Sequence, residues 1–373
     1  MKKKILLIFG TRPEAIKMAP LCKNLLKNKI FETKICVTAQ HREMLDQVLD
    51  FFKVKPDYDL NLMKSNQSLN ELSYRLLLAI DAVLEDFNPD LVLVHGDTTT
   101  SSMGALASFH RGIKVGHVEA GLRTFNTSAP FPEEMNRQLT GKIASLHFAP
   151  TQKSYDNLVI SEKVDESNVY ITGNTVIDAL LWGIENINTD RNDIKKLKDF
   201  MDPNKKLVVV TGHRRENFGD KFENFCNALL TISKRKDVQF IYPVHLNPNV
   251  KNTVHKILSN NPNILLTDPL DYEAFIWLLK ESYLIITDSG GVQEEAPSLG
   301  KPVLVTRDVT ERQEAVEMGT VKLVGTDKER IIQETNVLLD DNTVYEEMSS
   351  KNNPYGDGKT SKRISDIIFK VFE

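Results

Sequence analysis

Short runs of apolar, β-favouring residues recur along this chain between longer helical patterns, and that alternation limits its fold more than any other feature. Leu91-Val-Leu-Val94 and Leu207-Val-Val-Val210 are apolar on both faces. Such runs suit parallel strands covered by helices on each side. Strands are expected at Ile5–Phe9, Thr33–Thr38, Leu91–His95 and Val115–Val118. In the second half they are expected at Leu207–Thr211, Gln239–Tyr242, Ile264–Thr267, Leu284–Thr287 and Pro302–Val305. Helical patterns at Ala15–Lys27, Asn70–Asp86, Lys221–Lys234 and Tyr272–Lys280 lie between them. This βα repetition predicts an α/β fold with doubly wound parallel sheets.

At 373 residues the chain exceeds what one core usually supports, so two domains are expected. The pattern pauses between Ile184 and Lys206, in a polar, Lys-rich stretch that ends near Pro203. The expected division is an N-terminal Rossmann-like domain over 1–185, a linker over 186–206 and a C-terminal Rossmann-like domain over 207–359. A final helix, 360–373, is expected to return to the first domain. The net charge of -4 argues against non-specific nucleic-acid binding, which needs a basic face. No apolar run reaches about 18 residues, so no membrane span is expected. Ile5–Phe9 is too short for a signal peptide and is followed by Arg12 and Glu14; it reads as a first strand. Cys22, Cys36 and Cys226 are scattered and form no CxxC pair. That fits a reducing cytoplasm and argues against disulfides or a cysteine zinc site.

In doubly wound sheets, ligands bind beyond the carboxyl ends of the strands. The polar motifs all fall there: Gly10-Thr-Arg-Pro13, Gly96-Asp-Thr-Thr99, Glu119-Ala-Gly-Leu-Arg123, Gly212-His-Arg-Arg-Glu216 and Asp288-Ser-Gly-Gly291. Loops from both halves imply one cleft between the domains. Ser289, Gly290 and Gly291 open an expected helix, Val292 to Leu299, and offer bare backbone N–H groups to an anion. Glu294 and Glu295 would repel a phosphate placed beside them. A nucleotide resolves the conflict, with its diphosphate on the glycines and its ribose hydroxyls on Glu295. The plainer reading is a helix capped by Asp288 or Ser289.

Arg12 and Lys17 suit phosphate binding, or are two solvated cations. Asp97, Glu119 and Glu133 are carboxylates at or near strand ends, and carboxylates in a desolvated cleft can divide acid and base roles. The plainer readings make Asp97 a helix cap and Glu133 a first-turn dipole partner. His213 can donate to a diphosphate or leaving group. His245 is a second such contact, whereas His95 and His117 end apolar strands and read as core residues with backbone partners. Arg312 can clamp a phosphate or hydroxyl, or pair at the surface with Glu311 or Glu314. There is no GxGxxG and no HExxH, so neither a nicotinamide cofactor nor a metal is expected.

Taken in order, Gly10-Thr-Arg-Pro-Glu-Ala-Ile-Lys17, Gly96-Asp-Thr98, His117-Val-Glu-Ala-Gly121, Pro132-Glu-Glu134, Gly212-His-Arg-Arg215 and Asp288-Ser-Gly-Gly291 closely resemble the bacterial non-hydrolysing UDP-N-acetylglucosamine 2-epimerases. Thr38-Ala-Gln-His-Arg42, Thr172-Gly-Asn-Thr-Val-Ile177 and Asn353-Pro-Tyr-Gly-Asp-Gly358 extend the resemblance over the whole chain. It implies a GT-B fold, interconversion of UDP-GlcNAc and UDP-ManNAc without cofactor, and a homodimer. Carried over by position, Arg12, Lys17, Asp97, Glu119, His213, Phe275, Ser289, Gly290, Gly291, Glu295 and Arg312 would contact substrate. Asp97, Glu119, Glu133 and His213 would form the catalytic set. Gln40, His41 and His245 match an effector site; Glu43 replaces a carboxamide found there in some members. The implied chemistry is elimination of UDP across C1–C2 to 2-acetamidoglucal, then re-addition, in service of surface polysaccharide synthesis. A GT-B glycosyltransferase, a hydrolysing epimerase and a non-catalytic nucleotide-sugar sensor remain as rivals.

Overall fold

The computed structural model describes residues 2–39, 42–64 and 67–373. The chain divides into two compact units. The first is Met1–Trp182 with Tyr355–Glu373, and the second is Gly183–Pro354.

Among the described residues the first unit has a seven-stranded sheet. Its strands are β1 (Lys3–Phe9), β2 (Phe31–Val37), β3 (Tyr58–Asp59), β4 (Leu91–His95), β5 (Lys114–Val118), β6 (Leu146–Ala149) and β7 (Val169–Ile171). They lie in the order β3-β2-β1-β4-β5-β6-β7, with each pairing parallel. The register sets Ile5 opposite Leu91 and Ile8 opposite Val94. Ile5 to Phe9 and Leu91 to Val94 are fully buried, as strands covered on both faces must be. The helix Leu69–Phe87 covers part of this core with Leu72, Leu76, Ile80, Val83 and Leu84, a three- and four-residue spacing that forms one apolar face.

The second unit has a six-stranded parallel sheet among the described residues. It comprises β8 (Lys206–Thr211), β9 (Val238–Pro243), β10 (Ile264–Thr267), β11 (Leu284–Thr287), β12 (Val303–Val305) and β13 (Val321–Leu323), in the order β10-β9-β8-β11-β12-β13. Its core joins Val208, Val210, Phe240, Leu284 and Ile286 to Phe222, Phe225 and Leu229 of the helix Asp220–Ile232. Residues 192–200 form a helix that buries Ile194 and Leu197, and Arg191 before it pairs with Asp193, Asp271 and Glu273. The helix expected over Val292–Leu299 is shorter. It spans Gly290–Glu295 and tightens into a 3₁₀ turn at Ala296–Leu299, where Pro297 supplies no N–H for a helical bond.

Both sheets reverse winding direction beside their first strand. The gaps between β1 and β4, and between β8 and β11, are the switch points at which open α/β sheets bind ligands.

The C-terminal helix, Thr360–Phe372, completes the first unit by packing beside the helix Arg12–Lys27. Asp178 accepts bonds from the backbone N–H groups of Thr360 (3.1 Å) and Ser361 (2.7 Å). A carboxylate there satisfies orphan donors and complements the helix dipole. Asn174 N–H donates to the Tyr355 carbonyl at 2.7 Å, and Arg363 donates to the Thr172 carbonyl at 3.1 Å. The Thr172-Gly-Asn174 and Tyr355-to-Gly358 motifs therefore hold one another.

Candidate active site

At the switch point of the first unit, Glu14 ties the two loops together. Its buried carboxylate accepts from the N–H groups of Gly10 (3.0 Å) and Thr11 (2.8 Å), and from the Thr98 hydroxyl (2.6 Å). Burial moves its carboxyl above the usual range. Thr11 caps the helix Arg12–Lys27 and Glu14 closes a capping box with it, so the pattern was open to reading from sequence. Arg12, half-buried, is the first residue of that helix.

Glu119 follows β5 with φ of 62°, a left-handed conformation that costs a non-glycine residue about 1–3 kcal/mol. Lys17 is not a solvated cation: its Nζ stands 2.7 and 2.8 Å from the two oxygens of Glu119. His95 Nε2 lies 2.8 Å from Oε2, and Asn174 Nδ2 lies 3.5 Å from Oε1. Burial would raise this carboxyl. The neighbouring Lys17 and His95 outweigh that and hold it well below its ordinary value. His95 thus faces a carboxylate rather than the backbone partner expected for it. His117 does have one, the Gly96 carbonyl at 2.8 Å, and burial lowers its imidazole to about 3.

Asp97 does not cap a helix. Thr98 caps Thr99–His110, while Arg137 reaches Asp97 Oδ2 through Nε (3.0 Å) and Nη2 (2.6 Å). Glu133 opens the helix Glu133–Ile143, half-buried, and among the described residues its side chain makes no hydrogen bond or ion pair. Its neighbour Glu134 has the structural role. Fully buried, it accepts from the N–H groups of Thr124 (3.0 Å) and Phe125 (3.1 Å) and from Gln138 (3.0 Å), with Arg137 at 3.3 Å. Burial opposes its charge, but these donors keep the carboxyl below its usual value. Neither Arg137 nor the division of labour between Glu133 and Glu134 is visible in sequence, because Arg137 reaches back to Asp97 and the loop at Thr124 and Phe125 must fold onto Glu134 to set its partners.

At the switch point of the second unit, Asp288 does not cap the following helix either. Its Oδ2 accepts from the N–H groups of His213 and Arg214, each at 2.8 Å, and so fixes the loop after β8. His213 Nδ1 stands 3.5 Å from Asp288 Oδ1, and the ring stacks on His245 at 5.2 Å between centroids. Partial burial, with His245 and Arg214 nearby, outweighs the pull of Asp288 and lowers the imidazole. Ser289 is the N-cap residue but its side chain makes no capping bond. A side chain on Gly290 would stand 2.8 Å from the guanidinium carbon of Arg312, whereas one on Gly291 would meet only Glu295 Oε2, at 4.0 Å. Arg312 pairs with Glu311, one of the two partners expected for it, and also with a buried carboxylate. It donates through Nε to buried Glu294 at 2.9 Å, with Glu311 farther off at 3.6 Å. Glu295 is buried and accepts from the Tyr272 hydroxyl at 3.1 Å. Phe275, half-buried, lies on the same helix as Tyr272, Tyr272–Glu281. Gln40 and His41 lie outside the described residues.

Two doubly wound units, each with charged loops at its switch point, place the chain in the class of two-domain Rossmann-type α/β proteins. The family model described as UDP-N-acetylglucosamine 2-epimerase matches residues 23–369. A curated relative from Escherichia coli O157:H7, named UDP-N-acetylglucosamine 2-epimerase, is 55% identical over 98% of this chain and 98% of its own length. The crystal structure of the Neisseria meningitidis UDP-GlcNAc 2-epimerase bound to UDP-GlcNAc matches at a TM-score of 0.89 and 49% identity, covering 98% of this chain and 100% of that one. The Methanocaldococcus jannaschii enzyme in complex with UDP-GlcNAc and UDP matches at 0.81 and 34%, over 98% and 99%. The chain belongs to the UDP-N-acetylglucosamine 2-epimerase family, with a fold of the GT-B type, and is an enzyme of the isomerase class.

Proposed function

We propose that this enzyme interconverts UDP-GlcNAc and UDP-ManNAc by eliminating and re-adding UDP, without hydrolysing the sugar nucleotide. The observation that carries the reading is the carboxylate set of the first unit: Asp97 held by Arg137, Glu119 held by Lys17 and His95, and Glu133 bound to neither. The Neisseria and Methanocaldococcus structures, with UDP-GlcNAc in both, support the substrate.

The C2 proton of the sugar is not adjacent to a carbonyl, so direct abstraction is unfavourable. Breaking the C1–O bond to UDP while C2 loses its proton gives 2-acetamidoglucal and UDP. Re-addition forms the C1–O bond again as a proton arrives on the opposite face of C2. Nothing is oxidised or reduced, and two faces require more than one acid–base group. In this reading Arg12, His213 and Arg312 stabilise the departing diphosphate, an electrostatic role. Ser289, Gly290 and Gly291 give it backbone contacts, Glu295 accepts the ribose hydroxyls and Phe275 contacts the nucleotide. His245, with Gln40 and His41, is the proposed effector contact. A homodimer that supplies ManNAc units for surface polysaccharide completes the proposal.

Purified protein incubated with UDP-GlcNAc in D2O and followed by NMR should yield UDP-ManNAc carrying deuterium at C2. Free ManNAc with UDP would replace this by a hydrolysing reaction, and a sugar–acceptor product by glycosyl transfer. Turnover that retains the C2 hydrogen would sink the elimination route.

A further inference from the structure

Three elements of the first unit converge on one carboxylate. Lys17 comes from the helix Arg12–Lys27, His95 from the end of β4 and Asn174 from the loop after β7. His95 is only 4% exposed. Its Nδ1 has no hydrogen-bond partner among the described residues, and the 2.8 Å approach of Nε2 to Glu119 is off the line of a good hydrogen bond. An imidazole buried without directed partners is costly. What faces it here are carboxylates, since Glu119 lies on one side and the buried Glu14 is also near. His117 is the other titratable ring near it. Lys17 and His95 thus hold Glu119 from two directions, and its left-handed backbone aims it between them.

We propose that His95 is a positioning residue that, together with Lys17, keeps Glu119 a fixed anion throughout the reaction, so that Glu119 stabilises the oxocarbenium-like sugar ring while the protons at C2 move on Asp97 and Glu133. This rests on the elimination reading above. One of those two carboxyls receives the C2 proton as the C1–O bond breaks, and the other delivers a proton to the opposite face as UDP returns. Glu119 neither gains nor loses a proton. The partners around it match that assignment. Lys17 and the His95 ring meet both oxygens of Glu119, Arg137 reaches Asp97 through Oδ2 alone, and Glu133 has no cationic side chain beside it among the described residues.

The test compares His95→Leu and His95→Gln with the full-length wild type. Removing His95 takes away one influence that depresses the Glu119 carboxyl, so that carboxyl rises and the acid limb of kcat moves to higher pH. In His95→Leu, kcat should fall about 10–100-fold with KM little changed, the pattern of an interaction used in the transition state. His95→Gln, which places a donor near the Nε2 position, should recover part of kcat. An unmoved acid limb in His95→Leu would overturn the proposal, as would a glutamine variant no better than leucine. If the wild type itself forms no UDP-ManNAc, the functional reading fails, which is a distinct outcome. A second measurement needs no variant of His95. Infrared difference spectra of wild type against Glu119→Gln should show no protonated Glu119 carboxyl at any pH above about 4, the ordinary glutamate value. A protonated band from Glu119 near neutral pH would refute the fixed-anion role whether or not the His95 variants fold.

Discussion

Adjacent carboxylates on one helix, Glu133 and Glu134, serve different ends, and side-chain partners divide them. Glu134 is buried with four donors around it, and Glu133 is half-exposed with none among the described residues. Glu133→Gln is therefore expected to lower kcat about 10²–10⁴-fold, the usual loss for a general acid or base, with little change in melting temperature. Glu134→Gln should instead cost about 1–3 kcal/mol of stability by weakening the bonds that order Thr124 and Phe125. Kinetics and thermal denaturation of both variants separate the roles. A Glu133→Gln enzyme with near-normal turnover would remove Glu133 from the proposed chemistry. Asp97 and Glu119 can be read from sequence because each follows a strand end, whereas Glu133 opens the helix Glu133–Ile143, away from any strand. The partners of Asp97 and Glu119 cannot be read there, since Arg137 meets Asp97 and Lys17 meets Glu119 only through tertiary folding.

Among the elements, strands with an unbroken apolar run are legible and the shortest or mixed ones are not. Leu91–His95, Ile264–Thr267 and Leu284–Thr287 match their expected bounds because apolar runs flanked by turn residues mark them plainly. The unread strands are short or mixed. Tyr58–Asp59, Val169–Ile171 and Val321–Leu323 are edge strands of two or three residues with partly exposed side chains, and Leu146–Ala149 carries a histidine inside its run. A local pattern that brief is outweighed by pairing it cannot display. The C-terminal helix shows a further dependence on distant residues. Its amphipathic pattern is readable, but its cap, Asp178, is supplied from another helix. Asp178→Ala should cost about 0.5–2 kcal/mol, the range for losing a helix cap. Hydrogen exchange should rise first at Thr360 to Arg363. Unchanged protection there would mean the helix is held by its apolar face alone.

For the molecule as a whole, acidity acts through histidines that are buried uncharged. Burial lowers His117 to about 3 and His147 to about 4. Between the unfolded value near 6.5 and those folded values, the unfolded chain binds protons that the folded chain refuses. Stability contributed by these groups is thus intact above about pH 7 and falls as pH drops, by roughly 1.4 kcal/mol per pH unit for each ring. The raised carboxyls of Glu14 and Asp178 act in the opposite sense, so the clean measurement is a difference. His147→Phe should flatten the dependence of unfolding free energy on pH between about 7 and 5 relative to wild type, by about 1 kcal/mol per unit. Parallel slopes would show that His147 gains its proton without unfolding. The order of the segments has a consequence for synthesis on the ribosome. The first unit needs Tyr355–Glu373, which is translated only after all of Gly183–Pro354. Its long N-terminal portion therefore emerges without the helix that packs beside Arg12–Lys27, while the second unit, contiguous in sequence, can finish as soon as it clears the exit tunnel. The second unit, begun later, is thus complete in sequence before the first, and the nascent N-terminal sheet waits, incompletely covered, within reach of chaperones.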